Sequence, residues 1–171
     1  DSEPHVADVA RITTLAGYVH GRLTGRNVLG VGDASGMFPI DSAAVDYDER
    51  LLQTYSDHTG RDLRPLLPTV LPAGADAGTL TPEGAALLDP TGALRPGIPL
   101  CPPEGDAGPG MVATNSVAPL PGNVSAGTSL FAMVVLAQPL PTVHADLDLA
   151  TPPAGATVAM LHCHHGAREL G

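Results

Sequence analysis

Twenty glycines and eighteen prolines punctuate this 171-residue chain. That density works against long unbroken helices and strands, because proline removes a backbone donor and clashes inside a helix while glycine leaves the backbone unconstrained. The chain must fold as short elements joined by many turns. With two phenylalanines, three tyrosines and no tryptophan, aromatic rings cannot fill the interior, so the core has to come mainly from Ala, Val and Leu. Hydrophobic residues make up 43% and charged residues 15%, which is far from the polar, highly charged composition of a disordered segment. A packed core is therefore expected.

Eighteen acidic residues face eight basic ones, all of them arginine, for a net charge of −10. The arginines at 11, 22, 26, 50, 61, 64, 95 and 168 are spread along the chain, whereas neutralising phosphates needs a clustered basic face. Nucleic acid and anionic membrane are excluded as partners on this ground. The longest strongly apolar run, residues 130–137, falls well short of the roughly 18 residues a membrane-spanning helix needs, and a soluble protein is expected. The opening Asp1-Ser2-Glu3-Pro4-His5 has neither an initiator methionine nor the basic and apolar regions of a secretory signal, so the expectation is a chain that begins mid-gene. Two cysteines, Cys101 and Cys163, do not make the dense framework of a small secreted domain. Reduced thiols in a cytoplasmic protein are the simpler reading, and the sequon Asn123-Val124-Ser125 is discounted accordingly.

Apolar residues recur every three or four positions from Val6 through Val9, Thr13, Ala16 and Val19 to Leu23, which predicts one helix over 5–23 started by Ser2 and Pro4 and stopped by Gly25. Residues 30–41 read as a loop on their glycines and proline. A second helix is predicted over 47–58, burying Leu51, Leu52 and Tyr55 and ending at Gly60. Residues 66–78 are proline-punctuated and extended. Thr81-Pro82-Glu83 puts a capping hydroxyl ahead of a proline at the first helical position, predicting a short helix through Leu88. Residues 98–101 read as a strand bounded by Pro102 and Pro103, and a helix over 111–117 follows a glycine-rich turn. The break at 118–122 is the candidate lobe boundary. Beyond it, strands over 123–125 and 130–136 form a hairpin around Gly127-Thr128-Ser129, and 157–163 is a later strand.

Three places could carry chemistry. Asp106 is flanked by glycines at the end of an apolar run, where backbone can approach a ligand closely and a carboxylate can face a cleft; on spacing alone an Asp that forms a turn or caps a helix is the favoured explanation. Gly105, Gly108 and Gly110 lack the GxGxxG order of a dinucleotide site. Gly127-Thr128-Ser129 offers backbone N–H groups and hydroxyls to a phosphate, or is simply a hairpin turn. His162-Cys163-His164-His165 holds metal-ligating side chains, but neighbours on a strand point to opposite faces, which is poor spacing for zinc, and no metal site is assigned.

Taken in order, these stretches resemble the FGGY carbohydrate kinases from about His5 to Cys163. Leu23-Thr24-Gly25 followed by Asp33-Ala34-Ser35 and Asp41 is similar to the family's run from an LTG segment into a "DaS" loop. Gly78-Thr79-Leu80-Thr81 with Gly84-Ala85, and Gly97-Ile98-Pro99-Leu100, resemble two further family stretches. The most specific match is Gly105-Asp106-Ala107 followed about twenty residues on by Ser125-Ala126-Gly127-Thr128-Ser129.

The resemblance implies an α/β chain, a partial ribonuclease H-like (actin-like ATPase) fold from an incomplete two-lobed sugar kinase. Residues 1–118 would be the latter part of the N-terminal sugar-binding lobe and 122–171 the start of the C-terminal ATP-binding lobe. It makes Asp106 the general base that takes the proton of the sugar hydroxyl, Gly127 and Thr128 ligands of the ATP phosphates, and Glu104 and Ala107 neighbours that line the sugar pocket. ATP and Mg²⁺ are the implied cofactors, a small sugar such as a pentulose the implied substrate, and a homodimer of the intact enzyme stays open. Departures matter too. The family's phosphate loop, early sugar-binding segment and adenine pocket are missing, Pro109 stands where a small or hydroxyl residue is expected, and from His164 onward the resemblance stops. The chain alone is accordingly expected to be inactive, since phosphoryl transfer depends on positioning by a whole cleft. The rival reading is a non-catalytic module that binds a sugar or partner, or a truncated remnant.

Overall fold

The computed structural model describes residues 3–126, 130–142 and 144–163. A 3₁₀ turn at Pro4–Asp8 opens the chain, and helix α1 runs only from Leu15 to Thr24. The single helix expected over 5–23 is thus corrected. Thr14 takes the N-cap position, its hydroxyl accepting the Gly17 N–H at 3.1 Å, while the Ile12 N–H is drawn away to the Leu66 carbonyl at 2.8 Å. Gly25 closes the helix at φ 76°, a left-handed conformation in which glycine bears no Cβ penalty.

Strand β1 (Val28–Gly30) leads straight into the short helix α2 (Val31–Ser35), so the stretch expected to be loop holds a helical turn. A two-residue pair, β2 (Ile40–Asp41) and β3 (Asp46–Tyr47), precedes helix α3 (Glu49–Thr59), which Asp48 caps and Gly60 ends at φ 71°. Of the three residues expected to be buried by α3, Leu52 is, Leu51 is half-buried and Tyr55 is 38% exposed. Strand β4 (Thr69–Leu71) lies in the expected extended segment and pairs in parallel with β1, Leu29 opposite Val70. Helix α4 (Pro82–Leu88) starts as predicted, with the Thr81 hydroxyl accepting the Gly84 N–H at 3.0 Å. The strand expected over 98–101 reduces to one antiparallel bridge between Thr79 and Pro99, because the prolines at 99, 102 and 103 have no N–H to give a ladder. Helix α5 spans Ala107–Ala113, beginning directly after Asp106 rather than at Met111.

The remaining strands, β5 (Gly122–Ala126), β6 (Leu130–Val135), β7 (Asp148–Ala150) and β8 (Val158–Cys163), form one antiparallel sheet in the order β5-β6-β8-β7. The predicted hairpin is the β5–β6 pair, and β7 is the strand without a sequence signal. Two cores result. The first gathers Leu29, Val31, Ala34, Tyr47, Leu52, Leu67 and Val70, with Phe38 edge-on to Tyr47. The second joins Met111 of α5 to Met133, Val135 and Val158 of the sheet, so α5 reaches across the break at 118–122 to cover it. Aliphatic and methionine side chains dominate both, with Tyr47 the one buried Phe or Tyr ring among the described residues.

Candidate functional site

Between α2, the turn at residues 104–106 and the edge of the second sheet lies a cleft of about 460 Å³. Asp106 stands on its rim as the N-cap residue of α5. It is exposed, and its side chain accepts no capping hydrogen bond. That sets aside the helix-capping use of this aspartate, which would have tied up its oxygens. Ala107, half-buried, follows it on the same wall, and Asp148, Thr151 and Met160 lie across the cleft.

Glu104 is built in quite differently. Its Oε1 accepts the Gly32 N–H at 3.2 Å and its Oε2 the Asp33 N–H at 2.7 Å, while the preceding carbonyl of Pro103 accepts the Gly30 N–H at 2.8 Å. Donors at the start of α2 that have no partner within the helix are therefore satisfied by a carboxylate 71 and 72 residues away, and a negative charge there suits the helix dipole. Burial pushes the Glu104 carboxyl above the ordinary glutamate value and the nearby Asp33 charge adds to that, against the two N–H donors that favour the ionised form. The close approach needs glycine on the other side. A Cβ at Gly30 would run into the Glu104 carboxylate, and one at Gly32 would lie 2.5 Å from Oε2 and 3.1 Å from the Thr151 carbonyl.

The Asp33-Ala34-Ser35 stretch joins three parts of the molecule. Asp33 Oδ2 accepts from the Thr14 hydroxyl at 2.5 Å, which holds the N-terminus of α1. Ala34 is wholly buried. Ser35 Oγ donates to the Gly32 carbonyl at 2.7 Å and accepts the Thr151 N–H at 3.1 Å, tying α2 to the residue after β7. Asp33, Glu104 and Gly105 also border a second groove of about 660 Å³, otherwise lined largely by apolar residues of α1. Asp41, further along, accepts the N–H groups of Ala43 and Ala44 and is a turn former.

Gly127 and Thr128, the expected phosphate ligands, lie outside the described residues, as do Ser129, His164 and His165. The described strands bring Ala126 and Leu130 opposite each other. His162 packs edge-on to Phe131 with ring centroids 6.2 Å apart. Among the described residues no group of three or more His, Cys, Asp or Glu could hold a metal ion, and no helix is long and apolar enough to cross a membrane. The described residues thus give Mg²⁺ no ligand cage of their own. Sequence reasoning placed Asp106 at the cleft but missed what Glu104 does and missed Asp33, Ser35 and Thr151 as ties. The Gly30/Gly32 pair was the one available signal, since closely spaced glycines at a strand-to-helix junction mark close backbone approach.

No protein-family model matches the sequence, and neither does any curated protein. The fold is nonetheless shared with solved structures. A xyloylose kinase from Brucella ovis aligns over 96% of this chain at TM-score 0.77 and 21% identity. A xylulose kinase from Rhodospirillum rubrum aligns over 99% at 0.75 and 22% identity, and a Plasmodium falciparum glycerol kinase with ADP over 95% at 0.68 and 13% identity. The chain spans about a third of the length of these structures, 32%, 33% and 32% of each. At such identities the likeness concerns architecture, a fold shared with part of each of these structures.

Proposed function

We propose that this chain is the central part of a carbohydrate kinase that transfers the γ-phosphoryl group of ATP to a sugar hydroxyl, with Asp106 as general base. On this reading residues 1–118 are the latter part of the sugar-binding lobe and 122–171 the start of the ATP-binding lobe, with α5 packed across the boundary. One observation carries the assignment of the base. Asp106 sits on the rim of the cleft between the two parts with its carboxylate free of any capping bond, in a chain folded like part of xylulose kinase.

The chemistry follows from that position. An ionised carboxylate accepts the proton of the attacking hydroxyl as its oxygen bonds to the γ-phosphorus, and the bond to the β-phosphate oxygen breaks to release ADP. Ala107 beside the base and the Glu104 turn would form the sugar side of the cleft, and Gly127 and Thr128 would donate to the nucleotide phosphates. Mg²⁺ would travel on those phosphates as charge neutralisation. A pentulose is the first substrate to try, and a cytoplasmic location goes with such a reaction.

The test is ATP-dependent phosphorylation of a panel of pentuloses and polyols. It is run with the chain as given and with the same residues set within a full-length kinase, each with Asp106 or Asp106→Asn. Turnover in the full-length protein that drops at least a hundredfold on substitution supports the base, general-base catalysis contributing roughly 10²–10⁴-fold. Turnover insensitive to Asp106→Asn sinks the assignment. Phosphorylation by the short chain would show that a third of the kinase length suffices.

A further inference from the structure

We propose that Glu104 is a positioning residue for this phosphoryl transfer, clamping the Asp106 turn onto the first turn of α2, and that its carboxylate is not a sugar ligand. The inference rests on the sugar-kinase reading above. It begins from three hydrogen bonds that leave no slack between the two segments. Gly30, Gly32 and Asp33 donate their backbone N–H groups to the Pro103 carbonyl, Glu104 Oε1 and Glu104 Oε2. Both carboxylate oxygens are thus engaged by backbone, and two residues later the chain presents Asp106 with an unconstrained side chain.

Helix α2 is itself tied to the second sheet. Ser35 Oγ takes the Thr151 N–H at 3.1 Å, and a Cβ on Gly32 would meet Glu104 Oε2 and the Thr151 carbonyl at 2.5 and 3.1 Å. The helix thus joins Glu104 to the residue that follows β7. The third arm is Asp33, whose Oδ2 holds the Thr14 hydroxyl of α1. A base must keep its place within a fraction of an ångström while the lobes close, and misplacement of about 1 Å costs on the order of 10²-fold. Glu104 is the side chain that transmits the position of both parts to the Asp106 turn. The two backbone donors take one acceptor site on each oxygen and fix the carboxylate's orientation toward α2.

Glu104→Gln keeps the size but sets an NH₂ group against one of the two N–H donors. In the full-length kinase carrying these residues, kcat is expected to fall roughly tenfold, the worth of one charge-assisted hydrogen bond, with the sugar KM changed by less than about twofold. In the chain as given, amide exchange at Gly32 and Asp33 is expected to quicken several-fold in the variant while that of β6 stays as it was. Gly32→Ala, which pushes the carboxylate off Asp33 from the opposite side, should reproduce both changes. A raised KM at constant kcat would make Glu104 a sugar ligand and overturn the proposal, as would unchanged exchange at Gly32 and Asp33. If Asp106→Asn leaves turnover intact, the base assignment fails by itself and the exchange result decides on the clamp.

Discussion

Replacing Gly84 by alanine puts two opposed effects into one atom. Gly84 lies in α4 where that helix crosses the C-terminal end of α1, and its burial there is complete enough that an added Cβ would sit 2.8 Å from Leu23 Cα and 3.0 Å from Leu23 C, and closer still to the Leu23 carbonyl oxygen. All three are backbone atoms, so no rotamer change relieves the clash. Nor can α4 slide away freely, because the Thr81 N–H and hydroxyl both donate to that same carbonyl at 2.9 and 3.0 Å. On the favourable side, alanine is better than glycine inside a helix by about 1 kcal/mol. Against it stand overpacking of about 1–3 kcal/mol and the weakening of two hydrogen bonds at about 0.5–1.5 kcal/mol each. The clash wins, and a net destabilisation of about 1–5 kcal/mol is expected. Gly110→Ala is the matching control, since Gly110 lies within α5 with nothing within 4 Å of an added Cβ, and there the propensity gain should stand nearly alone. Urea unfolding followed by circular dichroism should therefore move the midpoint down for Gly84→Ala and up for Gly110→Ala, at constant slope. Midpoints that shift in the same direction would refute the reasoning, because the contact with Leu23 would then not be deciding the sign.

Tyr47 is 2% exposed, its hydroxyl makes no hydrogen bond among the described residues, and burial together with the charges of Asp46 and Asp33 pushes its phenol up to about 12. A raised folded-state value stabilises below the unfolded one and is lost as pH rises through the folded one, so stability should fall between about pH 10 and 12; Tyr47→Phe should flatten that alkaline limb in pH-dependent urea unfolding and leave neutral stability equal or higher by up to about 1 kcal/mol. For Asp46, burial pushes the carboxyl up, but the Arg64 hydrogen bonds, the Tyr47 N–H and the guanidinium charge outweigh it and hold the group below the ordinary aspartate range. Both side chains are about two-fifths exposed, so Arg64→Ala should cost under about 1 kcal/mol at neutral pH, and that cost should disappear in acid as Asp46 is protonated, which thermal melts across the acid range would register.

Elements that state their own ends were legible in the chain: the Thr81 cap with Pro82 for α4, the Gly60 stop for α3, the continuous apolar run that makes β6. Where a local pattern met a distant partner, the partner prevailed. The periodicity over 5–23 is real, yet the bond from Ile12 to Leu66 and the cap at Thr14 divide it, and neither Leu66 nor the competition between two caps is visible in a window of helical length. Pro99 within the 98–101 run, with Pro102 and Pro103 directly after it, limits that stretch in the same way, since none of the three has an N–H to give a ladder.

The same division governs the site. Asp106 could be found because its glycines and its place after an apolar run are local facts, and the resemblance supplied a role for it. Glu104 stands two residues away, where adjacency suggests only a neighbour lining the pocket; its engagement with backbone 71 and 72 residues earlier is not visible locally. A carboxylate's partners are a matter of topology, and only the residue types that topology cannot do without leave a trace. Here that trace is Gly30 and Gly32, where any side chain would occupy the space of the Glu104 carboxylate. A glycine pair at the junction of a strand and a short helix, with a glutamate two residues before an aspartate, is therefore the sequence pattern that the proposed clamp would leave, and an aspartate that merely forms a turn would not need it.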